Sequence, residues 1–194
     1  MQLETQRLII RPWRPFEDVR DAMDIFGDKR VTRWLEADSQ DTSLRQVQGR
    51  LQRYADQTQA ATNGTGSWAI VQKDIDRVVG QVGLRDLLEL EEVRPDHVAE
   101  PIADGTQLDY FEMEWRLRPA SWGFGYAAES ARPLIERSFE KLGLSVLLAI
   151  VQPDNQRAIA LMTRLGMRYS GVTTRCYRGQ SLSLYRLSAE HYWR

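Results

Sequence analysis

Cysteine is almost missing from this chain: Cys176 is the only one in 194 residues. That excludes an internal disulfide framework and fits a reducing cytoplasm. Histidine is nearly as scarce. His97 and His191 are the only two, neither with a Cys, His or Glu neighbour at metal-ligand spacing, so no metal is expected. No apolar run approaches eighteen residues, and no charged-then-apolar segment opens the chain, so neither a membrane span nor secretion is expected. Excess charge is lacking too. A formal net charge of -1 provides no overall field to recruit nucleic acid or an anionic membrane. There is no G-x-S-x-G elbow, and two histidines far apart suggest no hydrolytic triad. Cys176, in an expected strand near a turn, reads as a small packed residue rather than a nucleophile.

What remains is an ordinary globular composition, 42% hydrophobic and 27% charged. The length suits one domain over residues 1–194 with a sizeable core. Leu8-Ile9-Ile10-Arg11 reads as a first strand stopped by Pro12. Pro15 pre-sets a helix over residues 16–26, a short helical turn carries Trp34 within residues 31–35, and residues 43–59 form a polar, periodic surface helix. Residues 68–71 and 78–84 are strands joined by the Asp74-Ile75-Asp76 turn. Later come a fully apolar strand over residues 146–151, a helix over residues 156–165 capped by Asn155 and ended by Gly166, and a hairpin of residues 167–177 and 180–188. With no repeats and no linker, this order predicts a single α/β domain with a mixed sheet.

Residues 86–109 differ in character. They hold eight acids against one base, Arg94, and their two prolines and Gly105 predict a long loop. Such a stretch is either simply solvated or lines an entrance, since it leads into the next strand.

That strand, residues 110–117, contains Tyr110-Phe111-Glu112-Met113-Glu114-Trp115-Arg116-Leu117. After it come Trp122-Gly123-Phe124-Gly125-Tyr126 and a helix over residues 127–142, which Pro133 is expected to bend without breaking. Two glycines therefore sit where a helix begins, and unpartnered first-turn amides with a positive dipole end suit a phosphate or pyrophosphate. The same turn also serves merely to join strand and helix. Gly123-Phe124-Gly125-Tyr126-Ala127-Ala128 even fits G-x-G-x-x-A. The five residues between strand and first glycine, and the single strand-helix-strand unit that follows, count against dinucleotide binding.

Taken together, the motifs resemble the GNAT superfamily of acetyl-CoA-dependent N-acetyltransferases over nearly the whole chain. Glu4-Thr5-Gln6-Arg7-Leu8-Ile9-Ile10-Arg11-Pro12 resembles the start of the RimJ/RimL-like branch, the ribosomal-protein N-terminal acetyltransferases. Residues 112–117, Pro119, Trp122 to Ala127 and Glu129 resemble its central strand and pyrophosphate loop. Val151-Gln152-Pro153-Asp154-Asn155, then Ala158, Leu161 and Arg164-Leu165-Gly166-Met167, resemble its second cofactor motif.

The resemblance implies the α/β (α+β) GNAT fold, a single domain with a mixed, mostly antiparallel twisted sheet flanked by helices, and acetyl-CoA as co-substrate. Backbone groups of Trp115, Arg116 and Leu117 would pair with the pantetheine arm, amides of Trp122, Gly123, Phe124, Gly125, Tyr126 and Ala127 would cradle the pyrophosphate, and Asn155 would hold the pantetheine arm. The reaction is attack of a free amine on a thioester, needing a base for the amine proton and a donor for the oxyanion. Glu112 matches the family's carboxylate position, and Glu114 shares its strand face. Either is a candidate base, Glu112 ahead of Glu114, unless both face solvent. The Tyr that protonates the leaving thiolate in many members is replaced by Met162, Ala158 stands where a small polar residue is common, and Ala120 opens the loop. The acidic segment favours a cationic acceptor, a protein N-terminal amine or a small amine; the enzyme would be a cytoplasmic monomer or homodimer. A GNAT-fold acyl-CoA sensor without transferase activity is the competing expectation.

Overall fold

The computed structural model describes residues 1–34, 39–87, 111–174 and 179–193. Most of the acidic segment, Tyr110, His97 and Cys176 lie outside the described residues. By its internal contacts the chain divides into two compact units: Met1–Leu84 with Glu114–Leu134, and Arg85–Met113 with Ile135–Arg194.

In the first unit the strand order is β1 (Leu3–Glu4), β2 (Leu8–Pro12), β3 (Gly66–Gln72), β4 (Arg77–Asp86), then β5 (Phe111–Leu117). The first three pairings are antiparallel. Alternation puts Leu8 and Ile10 of β2 fully inside. A bulge between Ile70 and Val71 twists the β3–β4 hairpin. Against one sheet face pack α1 (Val19–Phe26) and α3 (Leu44–Ala60), burying Trp13, Ile25, Phe26, Val47, Leu51, Ala69 and Val71 in one cluster. Each of the larger side chains adds about 1.5–3 kcal/mol by leaving water. The predicted surface helix is thus amphipathic: Val47 and Leu51 are core residues. Ser43 starts α3 by accepting from the Gln46 amide.

Two helix starts differ from expectation, for local reasons. Asp18 accepts from the Arg14 amide and from Arg11, which closes a turn at residues 15–18 and delays α1 to Val19. Asp28 accepts from the Arg30 amide, so α2 spans Lys29–Thr32, two residues earlier than expected.

In the second unit the order runs β5, β6 (Val146–Val151), β8 (Leu182–Ser188), β7 (Arg168–Thr173). β5 and β6 are parallel, with Glu112 opposite Leu148; β6–β8 and β8–β7 are antiparallel. The apolar run of β6 is almost entirely buried, as expected. α5 (Gln156–Arg164) starts at Asn155, and a short α6 (Ala189–Tyr192) follows β8. Neither α6 nor β1 was expected.

β5 contributes to both units, as does α4 (Tyr126–Glu140), which continues through Pro133. The fold is mixed α/β, with eight strands among the described residues, mostly antiparallel, and flanking helices. No described helix is long and apolar enough to cross a membrane.

Candidate active site on the central strand and glycine turn

β5 carries Glu112, Glu114 and Arg116 at alternate positions, hence on one face. In the first unit, Glu114 and Arg116 form a hydrogen-bonded network with Gln81 of β4. The Gln81 side-chain amide donates to Glu114 Oε1 at 2.8 Å, and Arg116 Nη2 donates to Glu114 Oε2 at 3.1 Å. Arg116 Nη1 also donates to the Gln81 carbonyl. All three side chains are largely shielded from water. Glycines on β4 make the room. A Cβ at Gly83 would stand 3.0 Å from Glu114 Cγ, and one at Gly80 would stand 2.6 Å from the Arg116 carbonyl. The spacing Gly80-Gln81-Val82-Gly83 thus lets β5 approach and seats its carboxylate beside a glutamine.

Glu112, in the second unit, is only 3% exposed. Burial removes the reading in which both carboxylates merely face solvent. Glu114 accepts from a cation and an amide on its own sheet face, and Glu112 stands opposite Leu148 in the parallel β5–β6 pair.

Past the strand, a single 3₁₀ turn at Pro119–Ser121 leads into the glycine loop. Trp122 does not reach outward. Its indole packs against the α1–α3 core cluster and its Nε1 donates to the Leu117 carbonyl at 2.9 Å, tying the loop to the end of β5. Gly123 and Gly125 have φ of +86° and +83°, left-handed values that favour glycine. A Cβ on Gly123 would meet nothing within 4 Å, so backbone conformation, not packing, selects glycine there. Glu129 N–H bonds to the Gly125 carbonyl. The amides of Tyr126, Ala127 and Ala128 precede it in the first turn of α4, the usual place for an anion. Phe124 is exposed and stacks on Tyr126, ring centroids 5.7 Å apart.

Sequence reading missed what braces this loop. Glu129 Oε1 accepts from the Thr5 hydroxyl (2.6 Å) and the Arg7 amide (2.9 Å), and Oε2 from Arg7 Nε (2.8 Å). Arg7 Nη2 also donates to the Phe124 carbonyl at 3.0 Å, and the guanidinium stands 4.7 Å from the Tyr126 ring centroid. Burial disfavours the Glu129 charge, but the hydrogen bonds from Thr5 and Arg7 outweigh it and hold the carboxyl below its usual value. Thr5, Arg7 and Glu129 all lie in motifs visible in the sequence, yet nothing local pairs them.

In the second unit, Asn155 Oδ1 accepts from the Ala158 amide at 3.3 Å, an N-cap for α5. Met162 is 1% exposed. It is a packed thioether with no proton to give. Among the described residues, no cluster of His, Cys, Asp or Glu could hold a metal ion.

Comparison with known proteins decides the family. Residues 7–168 match the acetyltransferase (GNAT) domain. The chain belongs to the GNAT acetyltransferases. It is 25% identical over 170 residues to YoaA of Bacillus subtilis (strain 168), an uncharacterised N-acetyltransferase, covering 88% of this chain and 84% of that one. The p20 N-acetyltransferase of Bacillus licheniformis, also uncharacterised, is equally similar, at 25% over 170 residues and the same coverage. Among solved structures, a GNAT-family acetyltransferase from Bacillus anthracis shares the fold at a TM-score of 0.73 and 18% identity, covering 98% of this chain and 99% of that one. A Vibrio cholerae protein provisionally named a ribosomal-protein-serine acetyltransferase gives 0.73 at 17% identity, with 97% of each chain covered. The GNAT acetyltransferases thus account for the order of strand, glycine turn and helix, and the chain is an N-acyltransferase of that type.

Proposed function

We propose that this enzyme, RimJ/RimL-like in its motifs, transfers the acetyl group of acetyl-CoA to a primary amine: a protein or peptide N-terminal amine, or a small cationic amine. The observation that carries this reading is the pair of left-handed glycines at the start of α4, with open space where a Cβ of Gly123 would stand. Amides from Trp122 to Ala127 receive the pyrophosphate, and the backbone of Trp115, Arg116 and Leu117 follows the pantetheine arm. Asn155 caps α5 through its oxygen, and its amide nitrogen serves the same arm.

Glu112 accepts the amine proton, directly or through one water. Glu114, held by Arg116 and Gln81, orients the strand face instead. An N-terminal amine suits so simple a base, because its pKa near 7.7–8.0 lies well below that of lysine, about 10.4. The acidic residues 86–109 supply the charge that draws a cation. The enzyme works in the cytoplasm as a monomer or homodimer.

One observation favours a second reading, an acyl-CoA sensor without turnover: the buried Met162 stands where many family members carry a tyrosine. Free-thiol release from acetyl-CoA across a panel of peptides and small amines separates the two. Amine-dependent release supports the transferase; tight coenzyme binding with no release for any amine supports the sensor.

A further inference from the structure

Glu129 poses an electrostatic problem for the proposed coenzyme site. It lies in the first turn of α4, where the unpartnered amides attract an anion. Left alone, its carboxylate would repel a pyrophosphate arriving at that turn. The structure supplies the missing charge from a distant part of the chain, through the paired contacts of Arg7 with Glu129 Oε2, at 2.8 Å from Nε and 2.6 Å from Nη2.

The same guanidinium does a second thing. Its Nη2 donates to the Phe124 carbonyl between the two glycines, and a Cβ on Gly125 would stand 3.7 Å from that nitrogen. With the Phe124 carbonyl turned toward Arg7, the peptide unit it belongs to has its N–H, that of Gly125, pointing the other way, as peptide planarity requires. Arg7 is still 42% exposed along its side chain. Hence it neutralises Glu129 and fixes the turn without being swallowed by the core.

We propose that Arg7 is a positioning residue of the coenzyme site, which cancels the Glu129 charge and orients the Gly123–Gly125 turn so that the first-turn amides of α4 accept a pyrophosphate. This rests on the coenzyme-binding reading above and adds a residue outside the loop to it.

The test is a double-mutant cycle read by calorimetric titration of coenzyme A into wild type, Arg7→Met, Glu129→Gln, the double variant and Arg7→Lys, with thermal melts to confirm folding. Arg7→Met should weaken binding roughly 2- to 30-fold, the range open to a charge at a helix terminus. Glu129→Gln should bind about as well as wild type. The double variant should recover the part of the affinity lost to the uncompensated Glu129 charge, and Arg7→Lys, which keeps the charge but not the forked contacts, should fall between Arg7→Met and wild type. In turnover, Arg7→Met should raise KM for acetyl-CoA and leave kcat at saturation unchanged. A folded Arg7→Met that binds like wild type overturns the inference, as does a double variant no better than Arg7→Met. If wild type itself fails to bind coenzyme A, the underlying reading falls instead.

Discussion

Arg116 reaches back two residues along its own strand to donate to Glu114 at 3.1 Å, while Gln81 donates to the other oxygen of the same carboxylate. This arrangement separates two glutamates that the sequence presents as near equivalents. Glu114 is held by a cation and an amide of its own unit; Glu112 is buried further along the same strand, at 3% exposure.

The network makes a stability prediction. Arg116→Met strips the cation from a carboxylate whose side chain is 12% exposed, and breaking a buried pair from one side costs about 3–5 kcal/mol. Urea unfolding should show that loss, and Arg116→Met/Glu114→Leu should recover much of it, because neither charge then remains. Equal destabilisation by the single and double variants would mean that the guanidinium matters for packing alone.

The base assignment makes a kinetic one. Glu112→Gln should lower kcat by about 10²–10⁴-fold, the usual worth of general base catalysis, and leave acetyl-CoA affinity intact. The loss should be largest for acceptors of high pKa, and raising the pH should restore part of it, since more amine then arrives neutral. Glu114→Gln should cost less. If Glu114→Gln is the crippled variant and Glu112→Gln runs normally, the roles are reversed.

Much of this was legible in local patterns. The apolar run of residues 146–151, the two glycines before a periodic helix and the Asn155 cap each announce themselves within a few residues, and all fall where expected. Helix starts were read less well, because Asp18 and Asp28 decide them through side-chain bonds rather than periodicity. The two-residue β1 is too short to carry an alternation. The Arg7–Glu129 contact joins residues 122 positions apart, and Gln81 enters the site only because Gly80 and Gly83 admit β5. Pairings of that kind belong to the folded chain, not to any window of sequence.

Acid should act on the same contact. The Glu129 carboxyl is held below its ordinary value of about 4.3, so the folded state binds its proton more weakly than the unfolded chain does. The resulting stability is present in full above the unfolded value and is lost as pH falls through the lower, folded one. Unfolding midpoints of wild type and Glu129→Gln should therefore differ at pH 6 and draw together as the pH is lowered through and below the ordinary carboxylate range. A difference that does not change over that interval would show that the carboxylate charge plays no part.

Asn155 separates a structural role from a binding one. Aspartate is as good an N-cap as asparagine, so Asn155→Asp should leave thermal stability almost unchanged. It also removes an amide donor and adds a negative charge, so acetyl-CoA should bind more weakly in calorimetry. Lowered stability with undiminished binding would confine Asn155 to capping α5.

The central claim is that the turn at Gly123 and Gly125 receives the pyrophosphate of acetyl-CoA. Both glycines hold left-handed φ values that a β-branched residue adopts only at real cost. Isothermal titration of acetyl-CoA into wild type and into Gly123→Val/Gly125→Val, each shown to be folded by circular dichroism, tests it most directly. The account predicts saturable one-site binding to wild type and none to the variant; equal affinity in the two would contradict it.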